Sequence, residues 1–278
     1  MNTATLVRCL GSMTVLCAGC AEPAHQEPDN GWSEQRSVIK QVENYTFIIP
    51  GEGLAFEKRD SLVDACMSAI RNNMALLGVD SMTVPYKVKF YPSKTAMKED
   101  VGFGFSGHAD YWNKELGFVV TDDPVVIEAE NIIPAPIVHE TMHLIAMEEW
   151  GFPPESNLWL NEGLATYAAN QCNGRTVREV YSHLLTQGLA LPIDSLLDDF
   201  YRRDEMIAYH QAACIVQYLL EHHGLEQFAV LWKDGADSFE RIYGFTYQEL
   251  VARIDADITT AYPEGVAIDW ETFSKGCK

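Results

Sequence analysis

Residues 139–143 read His139-Glu140-Thr141-Met142-His143, and Asn161-Glu162-Gly163 follows with eighteen residues between His143 and Glu162. Few patterns constrain a fold as tightly. Positions four apart lie on one face of a helix, so His139 and His143 direct their imidazoles at one point. A third ligand from Glu162 requires a second stretch of chain to fold back on that helix, and it leaves one position of a tetrahedral ion open. Glu140 falls beside the ligand stripe, where its carboxylate can act as a base.

The five-residue string also occurs as two surface histidines and a solvated glutamate. Its surroundings argue for burial instead: Ile132-Ile133-Pro134-Ala135-Pro136-Ile137-Val138 precedes it and Leu144-Ile145-Ala146-Met147 follows. Buried His and Glu side chains are costly without partners, and a metal supplies one. Pro136 suits the first turn of a helix. The downstream acid lies in Trp159-Leu160-Asn161-Glu162-Gly163-Leu164-Ala165-Thr166-Tyr167, which reads as a second buried helix beginning near Asn161.

With these residues the chain resembles the gluzincins, zinc metallopeptidases with a His-Glu-x-x-His helix and a downstream Glu ligand. The eighteen-residue gap and Trp159-Leu160-Asn161-Glu162-Gly163 are similar to the catalytic domain of the zinc aminopeptidases. A third match is Tyr209-His210-Gln211-Ala212-Ala213, leading into Val216-Gln217-Tyr218-Leu219-Leu220. The resemblance spans residues 45–260. It implies one Zn2+ ion on His139, His143 and Glu162, with Glu140 as general base and then acid. It also implies Tyr209 as hydrogen-bond donor to the tetrahedral intermediate, and a peptide or protein substrate. Thr166, one turn past Glu162, is a candidate for orienting a ligand, although a helical Thr more often bonds its own backbone.

The chain departs from the aminopeptidases in two respects. Their Gly-x-Met-x-Asn strand, which binds the substrate amine, is replaced by Ala109-Asp110-Tyr111-Trp112-Asn113. Glu115 is offset from the required place, and Glu128 and Glu130 stand too close to His139. The large N-terminal β-domain of those enzymes is also missing. The expectation is a compact zinc peptidase, endo- or aminopeptidase left open. Two alternatives remain: a catalytically silent zinc-fold binding protein at the cell surface, and a zinc hydrolase of a non-peptide amide or ester. Retention of Glu140 argues against the first, because structural zinc needs no base.

The chain carries 40 acidic against 20 basic residues, a net charge of −20. Such a surface repels nucleic-acid phosphates and anionic lipid headgroups, so neither is an expected partner. Residues 1–20 read as an export signal: Arg8 supplies positive charge, Cys9 to Ala18 are apolar or small, and Leu16-Cys17-Ala18-Gly19-Cys20 resembles the processing box of bacterial lipoproteins. This implies a lipid on Cys20, membrane association through it, and a place in the cell envelope. A plain signal, giving a periplasmic or secreted protein, is the alternative. Residues 21–40 read as a disordered tether. Beyond Cys20, the cysteines Cys66, Cys172, Cys214 and Cys277 leave both free thiols and one disulfide open, and no C-x-x-C spacing makes them zinc ligands.

The remaining pattern is strands first and helices after. Tyr45–Ile49, Val84–Tyr91, Gly107–Trp112 and Leu116–Thr121 read as strands, the last two joined by Asn113-Lys114-Glu115. Helices are expected over Leu62–Leu77, Pro136–Met147, Asn161–Asn170, Val177–Leu185, Tyr209–His222, Leu225–Trp232 and Tyr247–Ile258. This predicts an α+β fold, with a small mixed sheet followed by a mainly helical subdomain. The resemblance makes it zincin-like, with the zinc site in the cleft between the two parts. The expected metallopeptidase domain is 41–262, with a tail over 263–278. His25, His183, His210, His222 and His223 have no metal spacing, and His108 reads as a surface residue near the cleft.

Overall fold

A computed structural model describes residues 36–277. The expected signal peptide, Cys20 and most of the tether lie outside the described residues. The sheet has five strands in the order β1-β2-β3-β5-β4, built from Ser37–Val42, Tyr45–Pro50, Tyr86–Tyr91, Gly107–Asp110 and Glu115–Val119 for β1 to β5. The central strands β2, β3 and β5 pair in parallel, and β1 and β4 close the two edges antiparallel. The architecture is α+β, a small mixed sheet followed by a mainly helical region.

Alternation divides the sheet faces. Phe47, Val88, Phe90, Leu116 and Phe118 enter the main core, while Tyr91 and Val119 pack with Ala96 and Met97 on the other side. The main-core face is covered by α2 (Arg59–Leu76) and α5 (Ile137–Trp150), and the other by α3 (Lys94–Val101). α1 (Gly53–Glu57) leads into α2, and α4 (Pro124–Glu130) precedes α5. The helical region comprises α6 (Leu158–Ala169), α7 (Val177–Thr186), α8 (Ile193–Asp199), α9 (Glu205–Asp234), α10 (Phe239–Tyr243), α11 (Tyr247–Ala261) and α12 (Trp270–Phe273). Among the described residues, no helix is long and apolar enough to cross a membrane.

Several expectations shift against this framework. β1 begins at Ser37, inside the segment read as tether; its alternating burial carries too little apolar character to mark a strand until β2 pairs with it. The helix expected from Asn161 begins at Leu158, which brings Asn161 into its first turn, buried. The helices expected over Tyr209–His222 and Leu225–Trp232 lie end to end in α9, with non-helical Gly224 (φ 82°) between them. Among the histidines, His108 is buried rather than on the surface. It fills the space above Gly117, against the edge of Phe103, and its nearest carboxylate oxygen is Glu115 Oε1 at 3.8 Å.

The two halves of the molecule meet through α5. Asn73, buried in α2, donates from Nδ2 to Val138 O (2.9 Å) and Thr141 Oγ1 (2.8 Å). Thr141 therefore faces α2 while Met142 fills the core, and His139 and His143 are left for the opposite side. α6 reaches α9 at Gly163, where an added Cβ would stand 2.8 Å from the carbonyl carbon and 2.9 Å from the oxygen of Ala212. Gly163→Ala is expected to push the helices apart and cost about 1–3 kcal/mol. Thermal denaturation checks this, and an unchanged midpoint would contradict the close approach.

Candidate metal centre

α5 and α6 bring the two sequence segments together. His139 Nε2 lies 3.1 Å from His143 Nε2, and Glu162 Oε2 lies 3.3 Å from each of them. Three ligands at about 2.0–2.2 Å from a tetrahedral ion stand about 3.3–3.5 Å apart, so this triangle has the dimensions of a zinc site. The donor set, two imidazoles and a carboxylate with a cleft above, is that of an open catalytic site rather than a closed structural one.

Outer partners orient the ligands. His143 Nδ1 donates to Asn161 Oδ1 at 2.8 Å, which leaves Nε2 with its lone pair toward the triangle. Tyr201, in the turn before α9, donates to Glu162 Oε1 at 3.1 Å and frees Oε2 for the site. Thr166 lines the cavity, but it hydrogen-bonds neither imidazole nor Glu162 among the described residues. Neither Asn161 nor Tyr201 carries a spacing signal: Asn161 works across helices, and Tyr201 lies in a turn 39 residues from its partner. Only adjacency to Glu162 marks Asn161 in the sequence.

Without metal, the ligands hold each other by charge. Burial opposes a charged His143, but the Glu162 carboxylate prevails and raises its imidazole to about 9. Burial likewise opposes a charged Glu162, yet the two imidazoles hold its carboxyl well below the usual range. A metal ion bound here would replace that proton on His143, so proton and metal would exclude one another.

Glu140 and Tyr209 flank the triangle. An added Cβ at Gly107 of β4 would stand 3.0 Å from Glu140 Cγ and 2.6 Å from Pro136 Cγ, so the absent side chain lets the edge strand pass directly over Glu140. Tyr209, on the second turn of α9, lies parallel to His139 (ring centroids 6.2 Å apart) and to Phe200 (5.1 Å). Burial, then the nearby Glu162 carboxylate, pushes its phenol well above the ordinary value, so it remains a donor. All five residues line one cavity of about 1040 Å³.

Two of the acids considered for a substrate amine, Glu115 and Glu130, are engaged elsewhere. Glu115 is buried on the α3 side of the sheet, 3.0 Å from Lys89 Nζ. Glu130 accepts from Lys94 N at 2.6 Å and Thr95 Oγ1 at 2.6 Å, capping α3. Cys172 and Cys277 form a disulfide, while Cys66 and Cys214 are buried free thiols. Burial pushes the Cys66 thiol up to about 12 and that of Cys214 higher still, which makes both inert.

His210, next to Tyr209, points away from the triangle, and its Nδ1 donates to Met206 O at 2.7 Å. Burial pushes its imidazole down to about 4. An unfolded His binds its proton near 6.5, so between those values the unfolded chain holds more protons. Stability contributed by neutral His210 is therefore lost as pH falls from 6.5 to 4, by roughly 3 kcal/mol. Urea denaturation of chelator-treated protein across this range checks it: His210→Gln should lose less stability than the parent, and equal losses would refute the assignment.

A family model for the Peptidase MA superfamily matches residues 85–260, more than half of the chain and the whole of this site. The chain belongs to the Peptidase MA superfamily, and its domain is of the peptidase type. No curated protein and no solved structure matches it.

Proposed function

We propose that this protein is a zinc-dependent peptidase of the gluzincin type, which hydrolyses peptide bonds in the cleft between sheet and helices. The observation that carries the reading is the triangle of His139, His143 and Glu162, at zinc-site spacing and opening on a cavity that also holds a carboxylate and a phenol. A bound zinc ion supplies Lewis-acid polarisation and lowers the pKa of water to about 7.

The remaining chemistry belongs to the chain. Glu140 accepts the proton of the attacking water at its carboxylate and returns it to the leaving amine. Tyr209 donates its phenolic hydrogen to the charge that develops on the scissile carbonyl oxygen. Asn161 and Tyr201 hold His143 and Glu162 in register, so little reorganisation accompanies the reaction. β4, an edge strand across the base, offers backbone groups to an extended peptide. The proposal is of peptide-bond hydrolysis, internal or terminal; Glu115 and Glu130 are engaged elsewhere and supply no site for a free amino terminus.

Mass-spectrometric mapping of cleavages in a diverse peptide mixture tests the proposal. Chelator-sensitive cutting is expected; a zinc-loaded protein that cleaves no peptide would instead favour the binding-protein alternative. Internal cuts without terminal trimming would identify an endopeptidase. The proposal extends to export with a lipid on Cys20, supported by Leu16-Cys17-Ala18-Gly19-Cys20 and by a disulfide that suits an oxidising compartment. A Cys20→Ser variant that stays in the membrane fraction would remove the lipid anchor from it.

A further inference from the structure

The residues after α11 were expected to be a tail, yet they are tied down at every few positions. His183 Nδ1 donates to Val266 O at 3.0 Å, Trp270 stacks on the His183 ring at 5.5 Å, and Phe273 is buried 5.6 Å from the His210 ring. The chain then enters the cleft, where Ser274–Cys277 line the same cavity as His139, Glu140 and Glu162.

This segment touches both sides. On the helical side it is bonded through Cys172–Cys277, and Asn173 Nδ2 donates to Gly276 O at 3.0 Å. On the other side it meets the loop before α5: a Cβ on Gly276 would stand 3.2 Å from Ile133 Cγ2. Residues 274–277 therefore bridge the cleft where α5 begins and α6 ends.

We propose that Ser274–Cys277 is a strap, pinned by the Cys172–Cys277 disulfide, which walls off this end of the substrate cleft and limits how far a bound peptide extends there. The inference rests on the peptidase reading and makes the strap its determinant of substrate length. The Cys172–Cys277 bond is the covalent tie of this wall to the helical side, beside the Asn173 hydrogen bond and the contact with Ile133, and cutting it frees the wall to open. A dithiol does so by giving two electrons and two protons: the S–S bond breaks, two thiols form, and the dithiol closes into its own disulfide. No other disulfide is present among the described residues, so among them reduction acts at the strap alone.

The test uses the full-length zinc-loaded protein in three forms: oxidised, dithiol-reduced and desalted, and Cys277→Ser. The probes are synthetic peptides that share one cleavage site and are lengthened residue by residue on either side. The oxidised form is expected to lose about tenfold or more in kcat/KM beyond a limiting length on one side only. Both released forms are expected to lose that limit, with zinc per chain unchanged. An identical length dependence in all three forms, at equal zinc content, overturns the strap. If no form cuts any peptide, the peptidase reading fails, and hydrogen exchange still judges the strap. Reduction should then speed amide exchange over residues 132–139 and 171–177, and unchanged protection there overturns it.

Discussion

Replacing Glu140 by Gln is expected to lower peptide hydrolysis by about 10²–10⁴-fold while zinc content stays the same. Gln keeps the side-chain length and the packing of Cγ under Gly107, so the edge strand need not move. It cannot accept a proton, and His139, His143 and Glu162 are untouched. Steady-state kcat/KM on the best-cleaved peptide, with elemental analysis of the same preparation, makes the comparison. A variant as active as the parent would remove Glu140 from the chemistry. Tyr209→Phe belongs beside it: the ring can still stack on His139 and Phe200, so only the hydroxyl is lost. A fall of about 10²–10³-fold in kcat is expected, the cost of one donor to a developing oxyanion.

His143→Ala is expected to abolish zinc retention. It takes away one of three candidate ligands and leaves the partly buried Glu162 with a single imidazole beside it. The loss should exceed the roughly 10–100-fold expected of Asn161→Ala, which removes only the group that orients His143. Stability reports the same event independently of turnover. A ligand that binds only the folded state stabilises it by about 4 kcal/mol at a thousandfold excess over its dissociation constant. Zinc should therefore raise the denaturation midpoint of the parent and leave that of His143→Ala where it was. A His143→Ala protein that is stabilised by zinc as strongly as the parent would place the metal elsewhere.

The α+β order of elements was legible because strand alternation and helical periodicity are local. Phe47 with Ile49, and Val88 with Phe90, alternate into the core, and Leu62 through Leu77 recur at helical spacing. β1 was not legible, since Ser37–Val42 is an exposed edge with few apolar residues and owes its strand to pairing with β2. α3 and α4 escaped for a related reason: each is short, and each is capped by side chains, Ser93 and Asp123, rather than marked by a long apolar stripe.

The site divides along the same line. His139, Glu140, His143 and Glu162 are visible in the chain because helix geometry converts a spacing of four into a shared face, and that conversion needs no knowledge of the rest of the fold. Tyr209 entered by resemblance, and the packing of α6 on α9 at Gly163 accompanies its approach to His139. Asn73 under Thr141, Asn161 on His143 and Tyr201 on Glu162 belong to the tertiary structure alone, since each contact joins separate elements and has no period of its own. The pairing of Cys172 with Cys277 is of the same kind. Four cysteines left the choice open, and a separation of 105 residues is bridged only once the chain after α11 has packed on α7 and α9 and turned into the cleft. Short-range geometry thus determined the candidate metal ligands and the candidate base, while long-range packing decided which side chains hydrogen-bond them and which segments line the cleft around them.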